Sequence, residues 1–199
     1  MIALFVPVLS AAQTGPRTTL NVYVIDVEGG TSLLFVSPSG ESLPIDSGNP
    51  GAAAPRDAGR ILDAAKAAGL ERIDHLLTTH WDFDHFGAMG ELASHITIGE
   101  YIDHGPNVQS SQYVDPFLKD VYPQLIAKAK HTVAKPGDMV PLGGAEVRVV
   151  TSAGEIIKTP LPGGGKPNPY CPSFKTARSK YGGSHVRLGF RKLRKISGV

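Results

Sequence analysis

The chain of 199 residues has one cysteine, Cys171. An internal disulfide is therefore excluded, as is a zinc site built on several thiolates. A bound metal would have to be held by histidine and carboxylate. The apolar start, Ile2 to Leu9, is far too short to cross a bilayer as a helix, and no membrane span is expected. Acids are absent from the last part of the chain. All 18 Asp and Glu lie in residues 1–155, whereas residues 156–199 carry 10 Lys and Arg and no acid. A basic end on an acidic body can mark contact with nucleic acid or an anionic surface. This one lacks interleaved aromatics and Gly-Arg repeats, so nucleic acid is not the expected partner. The abrupt loss of acids instead raises the expectation of an aberrant tail, from a reading frame shifted near residue 180 or a truncated gene.

What is present suits one soluble globular domain: 41% of residues are hydrophobic, and 23 Gly and 16 Pro predict many turns. Ser10-Ala11-Ala12-Gln13 after the apolar start looks like a signal-peptidase site, so residues 1–12 are read as a signal-peptide remnant of a secreted or periplasmic protein. Residues 19–27 place Leu20, Val22 and Val24 on one face of a strand. Glu28-Gly29-Gly30 turns the chain into a second strand over 31–37, and a third follows over 41–46. Residues 56–68 read as a helix, with Ile61, Leu62, Ala65 and Ala68 on one side, Pro55 in the first turn and Gly69 as the stop. Strands over 73–79 and 96–102 flank a short helix over 87–94. An amphipathic stretch over 115–130 is interrupted at Pro123, and a last strand spans 145–151. The strand–helix–strand order indicates a layered α/β fold.

The chemistry is concentrated in residues 76–87, LLTTHWDFDHFG. Four metal donors, His80, Asp82, Asp84 and His85, fall within six residues just past a strand end, where α/β folds build their sites. Imidazole and carboxylate together suit Zn²⁺, and also Fe or Mn. On an extended turn His80 and Asp82 would share one ion, and Asp84 and His85, past the bend, would face a second. The plainer alternative is a polar loop in which Asp84 caps the next helix. Asp26 reads as a strand-end turn residue, and Asp46 as a hydrogen-bond partner of the metal loop rather than a ligand. Asp103-His104-Gly105-Pro106-Asn107 reads by default as a turn, the alternative being a site role, since it follows a strand and could reach the same edge of the sheet. His75, His95 and His131 have no ligand pattern around them.

The stretch resembles the His-x-His-x-Asp-His signature of the metallo-β-lactamase superfamily, with Asp82 in place of the second His. In this His-x-Asp-x-Asp-His form it is similar to the hydrolase domain of DNA-uptake competence proteins. Val24-Ile25-Asp26-Val27-Glu28-Gly29-Gly30 resembles the family's first hairpin, and Pro44-Ile45-Asp46-Ser47-Gly48 its apolar-Asp-Thr/Ser-Gly turn. The resemblance covers about residues 19–150. It implies an αββα sandwich, metal at His80, Asp82, Asp84 and His85, and an exported hydrolase with a metal-activated water, in which Asp84 is the candidate catalytic residue. Implied substrates are small esters, lactones or phosphodiesters. The family's second half normally adds another His, a bridging Asp and a final His. After Glu155 this sequence offers only His185, so that half is expected to be incomplete. The expected organisation is thus a half-domain over 19–155 followed by a basic tail over 156–199. Two other readings compete: a metal-binding module without turnover, and a nucleic-acid binder acting through the tail. Oligomeric state has no sequence signal.

Overall fold

The computed structural model describes residues 18–159, Leu161 and Arg187–Lys192. The apolar start, Cys171, His185 and most of the basic tail lie outside the described residues.

A six-stranded sheet runs β1 (Asn21–Val24), β2 (Leu33–Val36), β3 (Ser42–Ile45), β4 (Ile73–Leu77), β5 (Ile98–Asp103), β6 (Lys130–Val133) in spatial as in chain order. β1 to β3 form an antiparallel meander, and β3 to β6 are parallel. Parallel neighbours need crossovers, and helices supply them. α1 (Ala54–Ala67) joins β3 to β4, and α2 (Phe83–Phe86) with α3 (Met89–His95) joins β4 to β5. Between β5 and β6 come α4 (Val114–Pro116), a wider π turn (Phe117–Val121) and α5 (Tyr122–Ile126). Pro123 has no N–H to donate back one helical turn, which accounts for the interruption expected there.

A second sheet has β8 (Ala145–Ser152) at its centre, paired antiparallel with β7 (Met139–Val140), β9 (Glu155–Ile156) and β10 (Arg187–Lys192). Two apolar clusters separate the layers. One joins the helices to the first sheet through Leu34, Val36, Ile61, Leu76, Trp81, Phe86, Met89 and Leu92. The other joins the two sheets through Phe35, Leu43, Ile45, Leu77, Ile102, Val140, Val147 and Val149. The described residues thus build a helix–sheet–sheet stack of an α/β sandwich, and among them no helix covers the outer side of the second sheet. No described helix is long and apolar enough to cross a membrane.

Most sequence-read elements keep their places with trimmed ends. α1 buries Ile61, Ala65 and Ala68 as its spacing demands, and Gly69 ends it at φ +68°. The backbone at Asp82 is extended, and the bend after it is a helical turn, α2, with the His85 N–H donating to the Asp82 carbonyl. The apolar stripe of β1 is its open side: Val22 is 49% and Val24 82% exposed.

Candidate metal site at the end of the fourth strand

The site lies where β4 leaves the sheet. Its foundation is Asp46, just past β3 and buried. The Asp46 backbone sits in the left-handed region, φ +62°, at a cost of roughly 1–2 kcal/mol for a residue with a Cβ. Such strain persists only where the surroundings impose it. Here the Asp46 N–H donates to the Leu77 carbonyl at 2.8 Å, fixing the turn to β4. The side chain then faces the start of the donor loop. Oδ1 accepts the Thr79 N–H at 2.7 Å, and Oδ2 accepts the Thr79 hydroxyl and His85 Nδ1–H, each at 2.7 Å.

These bonds assign the Nδ1 proton of His85. A carboxylate only accepts, so His85 must donate from Nδ1. Thr79 has one hydroxyl hydrogen and gives it to Asp46, so its oxygen accepts from His80 Nδ1, 3.0 Å away. Both imidazoles therefore set Nδ1 against a polar partner of the fold and direct Nε2 the other way, the arrangement in which outer partners orient metal-binding histidines; the Asp82 carboxylate at His80 Nε2 also only accepts, so in the absence of a cation both nitrogens of that ring face acceptors. His80 Nε2 lies 3.2 Å from Asp82 Oδ2, His85 Nε2 lies 3.8 Å from Asp84 Oδ2, and the two rings are 3.9 Å apart. Burial would lower the basicity of His85, but its bond to Asp46 and the charges of Asp46, Asp84 and Asp82 outweigh this and raise its pKa.

Close backbone approaches hold the loop. The His85 carbonyl accepts the Ser47 N–H at 2.7 Å, and the Asp84 carbonyl accepts the Thr31 N–H at 3.2 Å. A Cβ on Gly30 would sit 2.4 Å from the Asp84 carbonyl oxygen, and one on Gly87 would sit 2.1 Å from the Pro50 nitrogen. Glycine at both positions is what lets the hairpin turn and the 46–50 turn reach the donor loop. Beneath them Asp57, fully buried at the start of α1, accepts the Asn49 backbone N–H at 2.8 Å, an Asn49 side-chain N–H at 3.1 Å and Arg56 Nε–H at 2.8 Å.

The four expected donors thus lie on one short segment and meet in two pairs. Among the described residues no group of three or more His, Cys, Asp and Glu side chains is arranged to hold an ion. By type the pairs suit a divalent ion that takes nitrogen and oxygen, and they would complete its coordination with donors from elsewhere. Asp84 makes no side-chain cap to α2 or α3. Asp26 is an exposed turn residue whose Oδ1 accepts the Glu28 N–H at 3.0 Å. His104 is buried beside the Trp81 ring. His75, His95 and His131 pair with Glu100, Glu91 and Asp103. Sequence reasoning missed Thr79 and Asp57. Thr79, adjacent to His80, was within reach as a hydroxyl able to orient a ring; Asp57 looked like any acid in a first helical turn.

A family model for the metallo-beta-lactamase superfamily matches residues 21–173, and the chain belongs to that superfamily. Among solved structures it is similar to MEM-A1, a subclass B3 metallo-beta-lactamase isolated from a soil metagenome library, at 22% identity and a TM-score of 0.46, over 68% of this chain and 51% of that one. It is likewise similar to the metallo-beta-lactamase SMB-1 in a complex with mercaptoacetic acid, at 19% identity, TM-score 0.46, over 67% and 51%. A third is a Cronobacter sakazakii metallo-beta-lactamase with a HARLDQ motif, at 20% identity, TM-score 0.43, over 68% and 51%. The chain spans about half the length of these structures. No curated protein matches it significantly.

Proposed function

We propose that this chain provides the donor loop of an exported, zinc-dependent hydrolase acting on a small ester, lactone or phosphodiester. The observation that carries this reading is the pairing of two Nε2 atoms with two carboxylates, while Thr79 and Asp46 occupy both Nδ1 atoms. His80 and Asp82 would hold one ion and Asp84 and His85 a second; the same donors admit Fe or Mn. When bound there, zinc would bring the pKa of a water to about 7 and polarise the scissile group. The chain's own part is to hold each ring through its Nδ1 and to present Asp84, 28% exposed, as the carboxylate that orients the attacking water. Export is supported by the Ile2–Leu9 run and the small residues after it. The expected signature is chelator-sensitive hydrolysis that Asp84→Ala abolishes while the far-ultraviolet spectrum is kept. Unchanged turnover in that variant would overturn the assignment.

A second reading, a metal-binding module without turnover, is favoured by the donors meeting in pairs rather than in a closed set. It requires bound metal with no hydrolysis across ester, lactone and phosphodiester substrates.

A further inference from the structure

Trp81 lies between two donors in sequence, His80 and Asp82, yet its side chain is 5% exposed and points away from them into the helical layer. There its ring meets Tyr122 edge-on at 5.0 Å and Phe86 at 5.7 Å. Its indole N–H, which must find an acceptor when buried, donates to the Gly105 carbonyl at 3.0 Å. That carbonyl belongs to the turn after β5, 24 residues on in the chain.

The turn is fixed by Asp103, the last residue of β5 and 1% exposed. A buried carboxylate is tolerated only with its acceptor capacity filled. Asp103 Oδ1 accepts the Gly105 N–H at 2.6 Å; Oδ2 accepts the Tyr122 hydroxyl at 2.5 Å and His131 Nε2–H at 2.8 Å. Gly105 has φ +87°, so the turn suits glycine. The contacts close on themselves: Asp103 holds Gly105, Gly105 holds Trp81, Trp81 packs on Tyr122, and Tyr122 returns to Asp103. β5 and α5 each contribute a residue to this ring, His131 of β6 braces Asp103 from outside it, and the donor loop is tied in through one indole.

We propose that Asp103 is a positioning residue for the metal loop, acting through the Gly105 carbonyl and Trp81 to set the directions of His80 and Asp82. Asp46 fixes the loop from the β3 side through Thr79 and His85; Asp103 fixes it from the β5 side. The inference rests on the metal-site reading only for its consequence, since the link from Asp103 to Trp81 is visible without metal.

Trp81 is the one tryptophan of the chain, so intrinsic fluorescence reports on this link directly. The experiment compares the full chain with Asp103→Ala, Asp103→Asn and Tyr122→Phe, recording far-ultraviolet dichroism, Trp81 emission and the Kd for Zn²⁺ added alone. Asp103→Ala is expected to keep its secondary structure, shift Trp81 emission to the red and weaken zinc about tenfold, the lower end of what loss of an outer partner does. Asp103→Asn keeps an acceptor for the Gly105 N–H but loses the one shared by Tyr122 and His131, so it should recover part of both signals, which generic destabilisation would not produce. If Asp103→Ala does not fold, Tyr122→Phe decides. It removes one hydroxyl and keeps the ring against Trp81, and a smaller shift in the same direction is expected. Folded variants with wild-type emission and zinc affinity overturn the proposal. If the wild-type chain binds no zinc, the metal-site reading fails, and the emission of the variants still decides whether Asp103 governs Trp81.

Discussion

Asp46 accepts three hydrogen bonds on two oxygens and does so from a strained backbone, so its replacement tests the site without touching a donor atom. Asp46→Asn keeps shape but replaces one acceptor oxygen with an N–H₂ that cannot accept from both Thr79 and His85. Zinc affinity is expected to fall about 10- to 100-fold in isothermal titration, with little change in secondary structure. A small substitution nearby should cost more in stability. The methyl group of Gly30→Ala would lie 2.4 Å from the Asp84 carbonyl, so hairpin and donor loop must part. A loss of about 1–3 kcal/mol in urea unfolding is expected, with weaker zinc binding alongside it. The four candidate donors stood out at this scale because they sit within six residues. The tautomer of His85 did not, because it depends on Asp46, more than thirty residues earlier.

At the level of elements, α1 does more than cover the sheet. Asp57 in its first turn anchors the Asn49 backbone and so braces the 46–50 turn. Burial alone would push the Asp57 carboxyl up, but the bonds from Arg56 and Asn49 outweigh it and hold it below the usual 3.8. A carboxylate depressed in the folded state adds stability that is present above its unfolded pKa and lost as pH falls through the folded one. Glu100 on β5 follows the same rule below its usual 4.5, with Lys130, Thr132 and His75 overcoming its burial. Acid unfolding should therefore steepen below about pH 4. Asp57→Asn should flatten that limb and cost about 1–3 kcal/mol at neutral pH, read from urea midpoints across pH. A slope unchanged from wild type would remove Asp57 from the account. α1 itself was readable from Pro55, Gly69 and the Ile61–Ala65–Ala68 face. The four-residue α2 was not, since it spans barely one helical period and no repeat can show in it, and neither was the π turn.

For the whole molecule, the two apolar clusters account for the order of layers, and the sequence signalled it through strand–helix alternation. Which side of β1 is covered was not signalled: alternation separates two faces without naming the buried one. Leu20, Val22 and Val24 form an exposed apolar stripe on an edge strand, a surface prone to self-association. Val24→Lys should lower light scattering on heating while shifting stability by no more than about 0.5 kcal/mol. Equal scattering would place the association elsewhere. The central claim concerns metal. It is tested most directly by elemental analysis of the purified chain from Gln13 onward, beside the Asp84→Ala/His85→Ala double variant. The account predicts near-stoichiometric zinc in the first and little in the second; a chain that retains no metal, or a double variant that retains as much, would contradict it.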